Sequence, residues 1–402
     1  MSDTMKKSAV FLTTVPSNNT PHSEYVPWVL ADAGWEVTVV APNEREGLVR
    51  CTLSPKWTWR DLRFGAGTGH ILSELLILWE LLRARFGGSS VIVIHSQGLG
   101  WRAPFFFLGP LLGKRLVYHT PDYYDPITYP VRSWLEGCLA RKCDLFLSTE
   151  YHRAYILRAQ HRLNCPVVVS PPNLAAQWPI PARSERTRSQ MDGGVKDAFV
   201  LRLNSRFGPL RMVAQVMEAL SLLPPRFRLV MTGEERGWNP QANELACRLG
   251  IRDRVVMLPP MDYADVLAYT SNADAGVLLY DNNDLGNYFT SPGRLTDYLA
   301  CGLPVLASRF AGLESVVCRY GIGECVDAWD PKSIAAGIAR LANGVESGLF
   351  DRGKIRSSFE RHFAYERWAP EVVAAFERLL SSKQKMKQSP PPQYWFPGAA
   401  EG

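Results

Sequence analysis

Unbroken apolar runs recur along the first part of the chain, separated by stretches of helical spacing. AVFLTTV (9–15), EVTVVAP (36–42), VIVIH (91–95), RLVYH (115–119), LFLST (145–149) and PVVVS (166–170) are apolar without strict alternation. Strands covered by helices on both faces read this way, so these runs predict a parallel sheet. ILSELLILWELLRAR (71–85) carries the helical period between two of them. The segment PPNLAAQWPIPARSERTRSQMDGGVKDA (171–198) then breaks the pattern with Pro, Ser, Arg and Gly and predicts a linker.

The alternation then restarts. AFVLRLN (198–204), RLVMTG (228–233), VVMLPP (255–260), AGVLLY (275–280) and PVLAS (304–308) predict a second set of strands. Helices are expected at 210–222, about 240–249, 262–270 and 291–301. In the first of these, Leu210, Val213, Met217 and Leu220 hold one face. A last amphipathic helix is expected at about 367–381, with Val372, Phe376 and Leu379 inward, and a disordered tail at 383–402. The expectation is an α/β chain of two similar open domains. Ligands of such sheets bind beyond the carboxyl ends of the strands.

Composition narrows the function. The chain has 402 residues, is 46% hydrophobic and 21% charged, and carries a net charge of +6. Residues 1–172 hold 18 Lys+Arg against 14 Asp+Glu, which is +4 of that total. A mild excess suits an anionic substrate or a membrane surface, but lacks the dense basic stripe of a nucleic-acid binder. Eight cysteines are scattered, with no CxxC spacing and no accompanying histidine cluster, which predicts a reducing, cytoplasmic setting and no metal site. MSDTMKKSAVFLTTV reads as a lead into the first strand rather than a signal peptide. The most apolar stretch, APFFFLGPLLG (103–113), is too short to cross a membrane and contains two prolines. A core helix is the expectation there, with peripheral membrane contact through 105–115 as the alternative.

The richest chemistry lies in SPGRLTDYLACGLPVLAS (291–308). Ser291 can cap a helix and Pro292 suits its first position. The free amides, the positive dipole end and the Arg294 fork together suit a phosphate. Asp297, one turn on, would repel phosphate but can accept bonds from two vicinal hydroxyls of a ribose. The competing reading is a plain helix start with an Arg294–Asp297 ion pair on a solvated face.

The longer stretch 255–308 resembles the C-terminal half of the retaining glycosyltransferases grouped as family 4, which have the GT-B fold. Asp274, Tyr280, Asn287, Ser291, Pro292, Arg294, Asp297, Tyr298, Gly302 and Pro304 carry the likeness. LADAGWEVTVVAP (30–42), RKCDLFLSTEYHRAYIL (141–157) and PVVVSPPN (166–173) resemble earlier family segments. The resemblance implies two Rossmann-like parallel-sheet domains facing a central cleft. On it, residues 1–172, joined by the helix at about 367–381, form the acceptor side, 173–197 the linker and 198–366 the nucleotide-sugar side. It also implies a retaining hexosyltransferase with no cofactor, and the lack of a metal-ligand cluster in the sequence adds the expectation of metal independence. The donor would be a UDP- or GDP-linked sugar, and the acceptor a small molecule, a lipid-linked compound or a glycan.

The family's site residues transfer position by position. Asp297 falls where a glutamate usually holds the ribose, and Ser291 with the following amides where the diphosphate sits. Arg202 matches the first of two diphosphate-gripping cations. Phe207 occupies the place of the second, with Arg206 beside it, and Phe289 stands where a second glutamate is usual. Surface arginines beside a turn are the competing reading for Arg202 and Arg206. His119 resembles a histidine near the reacting sugar; a satisfied core histidine is the alternative. Asp122 could orient an acceptor hydroxyl, and Glu150 is a weaker candidate of the same kind. Gly233 follows a strand, where a ligand can approach backbone, and Met261 could edge the base. Asn18, Asn19, Thr20 and His22 could bind sugar hydroxyls or form a solvated loop. Two other readings stay open. An inverting transferase or an epimerase of the same fold could use His22 or Asp122 as base, and a sugar-nucleotide binder without catalysis would fit Phe207 and Phe289.

Overall fold

The computed structural model describes residues 6–13, 24–42, 57–62, 79–80, 82–83, 86, 89–95, 115–205, 207–232, 239–283 and 285–381. The chain divides into two compact units, residues 1–172 with 365–402, and residues 173–364.

The first unit holds strands β1 (Ser8–Thr13), β2 (Glu36–Pro42), β3 (Thr58–Leu62), β4 (Val91–His95), β5 (Arg115–Thr120), β6 (Leu145–Ser148) and β7 (Val167–Val169). They form one parallel sheet in the order β3-β2-β1-β4-β5-β6-β7. Val10, Leu12, Ile92, Ile94, Leu116, Tyr118 and Phe146 pack with Leu139 and Leu157 in its core. Helices α1 (Tyr25–Asp32), α2 (Pro130–Ala140) and α3 (Tyr151–His161) belong to this unit. The helix Ala369–Ser381 returns to it from the far end of the chain. Its Phe376 ring meets Trp35 edge-on at 5.7 Å. Just before it, Tyr365 stacks on Tyr25 at 4.7 Å, and its hydroxyl shares a 2.9 Å hydrogen bond with Ser170.

The second unit holds β8 (Phe199–Leu203), β9 (Phe227–Thr232), β10 (Val255–Leu258), β11 (Ala275–Leu278), β12 (Val305–Ser308) and β13 (Gly323–Val326). Their order is β10-β9-β8-β11-β12-β13, again parallel. In both units the direction of winding reverses beside the first strand, at β1/β4 and at β8/β11. Those are the positions where an open α/β sheet presents a crevice.

The stretch expected as a linker packs within the second unit and contains α4 (Glu185–Asp192), whose Met191 is fully buried. The edge strands Thr58–Leu62 and Gly323–Val326 are absent from the expected set. The expected tail at 383–402, the segment 103–113, the residues Asn18 to His22 and most of the helix expected at 71–85 lie outside the described residues.

Candidate active site

At the second unit's reversal point, two loops leave adjacent strands. The loop after β8 carries Asn204 and Phe207. The loop after β11 carries Tyr280 and leads through a short helix, Leu285–Tyr288, to the helix Gly293–Ala300. Six consecutive residues of that last helix, Leu295 to Ala300, are buried, Asp297 and Tyr298 among them. Tyr298 lies over Gly276, where a side chain on β11 would run into its ring. The Tyr298 hydroxyl accepts from the Asn204 backbone N–H at 3.0 Å, so the helix is stitched to the loop after β8. Gly302, at φ +72°, ends the helix, and the Leu303 N–H reaches back to the Tyr298 carbonyl at 2.9 Å. This closure needs a left-handed residue, which glycine supplies without strain.

The helix begins later than expected. Pro292 stands at the N-cap, with no side-chain cap, and Ser291 lies one position further out. Ser291 is therefore a neighbour of the helix entrance rather than its cap. Both residues are partly buried, as is Met261 after β10. Gly233 and Arg206 lie outside the described residues.

Arg294 and Asp297 do not pair with each other. Arg294 donates to the Asn204 carbonyl at 3.2 Å and to the Tyr280 hydroxyl at 2.5 Å. Asp297, only 3% exposed, accepts from the Tyr263 hydroxyl at 2.6 Å. Burial lifts its carboxyl to about 7, against the opposite pull of the Tyr263 bond and the Arg294 charge. The surface ion pair weighed from spacing alone is thus excluded: one partner is buried, and each is committed elsewhere.

Positive charge gathers around Tyr280. The guanidinium carbons of Arg211 and Arg294 lie 4.2 and 5.3 Å from its ring centre. On β8, Arg202 is completely buried, so the reading of a surface arginine does not hold for it. It donates to the Val230 carbonyl at 3.3 Å, while its Nε and Nη2 find no hydrogen-bond partner among the described residues. Burial brings its guanidinium down to about 10, which leaves it charged at neutral pH. The Asn204 side-chain oxygen is likewise buried without a partner, although its amide donates to Thr270 at 3.2 Å. A native interior rarely leaves such groups unsatisfied unless a further group approaches them.

In the first unit, Thr13, His95 and His119 stand in one row across the ends of β1, β4 and β5. The Thr13 hydroxyl and His95 Nδ1 are 3.0 Å apart, and the two imidazole centres 4.7 Å. Both rings are buried and held neutral. Burial lowers His95 to about 4, and burial followed by the His95 charge holds His119 well below its ordinary value. His119 Nε2 has no partner among the described residues, so this histidine is buried but not satisfied. Asp122 is partly buried, and its carbonyl accepts from the Thr120 hydroxyl at 2.8 Å. Glu150 is occupied otherwise: it caps α3 through the Arg153 N–H at 2.8 Å and holds His152 at 2.6 Å. These two contacts give it a structural part at the start of α3.

Sequence spacing did not single out Tyr263, Arg211, Thr13 or His95. Tyr263 lies 34 positions from its partner Asp297, and only the fold joins them. His95 did carry a signal, since it closes the predicted strand 91–95 in the sheet that contains His119, whereas Thr13 lies inside the predicted strand 9–15 and closes only the observed one.

Residues 192–347 match the family model described as glycosyl transferases group 1. D-inositol 3-phosphate glycosyltransferases of Acidothermus cellulolyticus and Segniliparus rotundus are similar, at 30% and 29% identity over 207 and 189 residues. These alignments take in 48% and 46% of this chain and 44% and 40% of the relatives, so the chain spans less than half the length of these curated relatives. Among solved structures, a sucrose-phosphate synthase from Thermosynechococcus elongatus superposes with a TM-score of 0.72 at 17% identity, over 94% of this chain and 100% of that one. Anabaena HepE in complex with UDP gives 0.69 at 14%, over 92% and 100%. At such identities the likeness establishes the fold, which is GT-B.

Proposed function

The chain carries, at residues 192–347, a domain of the group 1 glycosyl transferase family, and from that premise we propose that it moves a sugar from a nucleotide diphosphate sugar to a hydroxyl acceptor with retention of configuration. The donor is UDP- or GDP-linked and engages the second unit; the acceptor engages the first. The observation that carries this reading is the separation of Arg294 from Asp297 on one buried helix. An ion pair would need them together, whereas a nucleotide diphosphate needs a cation and a diol acceptor side by side.

Each residue then has a physical task. Arg202, Arg211 and Arg294 lower the energy of the diphosphate as it gains charge on leaving. Ser291 and the backbone N–H groups that follow Pro292 add donors at the helix entrance, and Arg206 and Gly233 are assigned to the diphosphate from their sequence positions alone. Asp297, oriented by Tyr263, accepts from the ribose hydroxyls. Met261 borders the base. His119 offers a neutral imidazole to a sugar or acceptor hydroxyl, and Asp122 orients the acceptor. The departing phosphate takes the acceptor's proton, so the protein need not supply a base. HepE, solved with UDP and with UDP-glucose, lends support to a uridine donor.

A titration of UDP and GDP against the wild type and the Asp297→Ala and Arg202→Ala variants tests the donor side. Unchanged affinity in both variants would reject the assignment. NMR of the anomeric proton in the product separates retention from inversion. Phe289 and Phe207 favour a second reading, in which the chain binds a sugar nucleotide without transferring it. Binding with no nucleotide released from any donor, in the presence of acceptors, would select that reading.

A further inference from the structure

The helix α2 and the turn before it carry large apolar side chains on their outer face. Ile127, Val131 and Trp134 are 89%, 68% and 61% exposed. Tyr129 is exposed beside them, and Leu135 and Cys138 are partly so. Within the helix these outward positions recur at three- and four-residue spacing and form one stripe. Arg141 and Lys142, both exposed, extend the stripe at its carboxyl end. The opposite face buries Ser133, Glu136, Gly137, Leu139 and Ala140.

Charge is sorted in the same sense. Every carboxylate between positions 123 and 144 turns inward. Asp125 takes the backbone N–H groups of Ile127 and Thr128 at 3.1 and 3.3 Å and the Thr128 hydroxyl at 2.7 Å. Glu136 accepts from Tyr118 and lies 3.3 Å from His161 Nε2. Asp144 accepts from the Leu116 N–H at 3.0 Å. All three are less than 9% exposed. Every cation of the same stretch, Arg132, Arg141 and Lys142, faces out.

An exposed apolar stripe whose outward charged neighbours within residues 123–144 are all cations is unusual on a soluble surface and marks a docking face. We propose that this face docks on an anionic lipid bilayer. Ile127, Val131 and Trp134 enter the headgroup region, and Arg132, Arg141 and Lys142 meet the lipid phosphates. The indole suits that depth because its body is apolar and its N–H polar, and each cation adds electrostatic attraction that salt weakens. A protein partner is disfavoured because, within residues 126–142, no carboxylate or amide side chain faces outward to set a register. The inference does not depend on the catalytic reading, since its measurement is binding to lipid.

The test is co-sedimentation of the full chain with vesicles of phosphatidylcholine alone and of phosphatidylcholine with about one third phosphatidylglycerol. The wild type is expected on the anionic vesicles, released by added salt. The double variant Val131→Ser/Trp134→Ser should partition about tenfold less. Arg141→Ala/Lys142→Ala should lose binding to anionic vesicles only. All these side chains are exposed, so both variants should melt as the wild type does. Equal sedimentation with both vesicle types, or wild-type behaviour of both variants, would overturn the proposal. So would light scattering showing a wild-type dimer that Val131→Ser/Trp134→Ser makes monomeric, because the occupant would then be a second copy.

Discussion

Asp297→Asn isolates the chemistry of one buried carboxyl. Asparagine keeps the shape and an oxygen for the Tyr263 hydroxyl but cannot ionise. In the folded chain, burial raises the Asp297 carboxyl from 3.8 to about 7, while Tyr263 and Arg294 pull the other way. Between those two values the folded state holds a proton that the unfolded chain has released. The stability this contributes is fully present below the unfolded value and is lost as pH rises towards 7. Each unit is worth about 1.4 kcal/mol, so between about pH 5 and about pH 8 the wild type should lose about 3 kcal/mol from this group. The variant loses none of it. Denaturant unfolding of both proteins at the two pH values gives a difference of differences, in which His95 and all other titrating groups cancel. Binding should move in the opposite direction: at about pH 8 the variant should be the more stable protein but should bind UDP or GDP at least about tenfold more weakly, for want of a charged acceptor for the ribose. A stability gap that is equal at both pH values would refute the argument, whatever the binding shows.

Arg202→Met should leave stability unchanged or raise it by about 1 kcal/mol, since it removes a buried and partly unsatisfied charge, while calorimetry should record a weaker nucleotide complex. His119→Phe should abolish transfer to the acceptor in a product assay and leave nucleotide affinity within about twofold, as the two sites lie in different units. His95, lowered to about 4 by burial, contributes stability that is complete above the ordinary imidazole value and is lost as pH falls towards 4. Unfolding curves of the wild type and His95→Gln should therefore converge on acidification. Gly276→Ala should drive Tyr298 off the β11 backbone and cost about 2 kcal/mol, visible as a lowered melting temperature.

The central strands were legible because a strand covered on both faces must be mostly apolar, as Val91–His95 is up to Ile94 and Phe199–Leu203 is apart from Arg202. Thr58–Leu62 and Gly323–Val326 were not legible for the complementary reason. Both sit at sheet edges, and their sequences TWRDL and GECV mix polar and apolar positions. The helix within 173–197 was hidden because it buries a single residue, Met191. At the candidate site, the residues within one helix could be read from spacing. What spacing could not show was that Arg294 and Asp297 turn to different partners, because Asn204, Tyr263 and Tyr280 arrive from separate loops and a separate helix. Ser291 reads as the cap from sequence, whereas the first turn opens beyond Pro292, a shift of the size usual at helix ends.

The return of Ala369–Ser381 to the first unit has a consequence for how the chain is made. Residues 173–364 are a continuous segment that can close its own sheet as soon as it has been synthesised. The first unit can pair its strands early, since all of them precede residue 170, but its packing stays incomplete: Tyr25 and Trp35, near the start, await Tyr365 and Phe376, near the end. The part begun first is therefore completed last. Until the ribosome has released the final helix, the Tyr25 and Trp35 rings lack the partners that cover them in the finished fold.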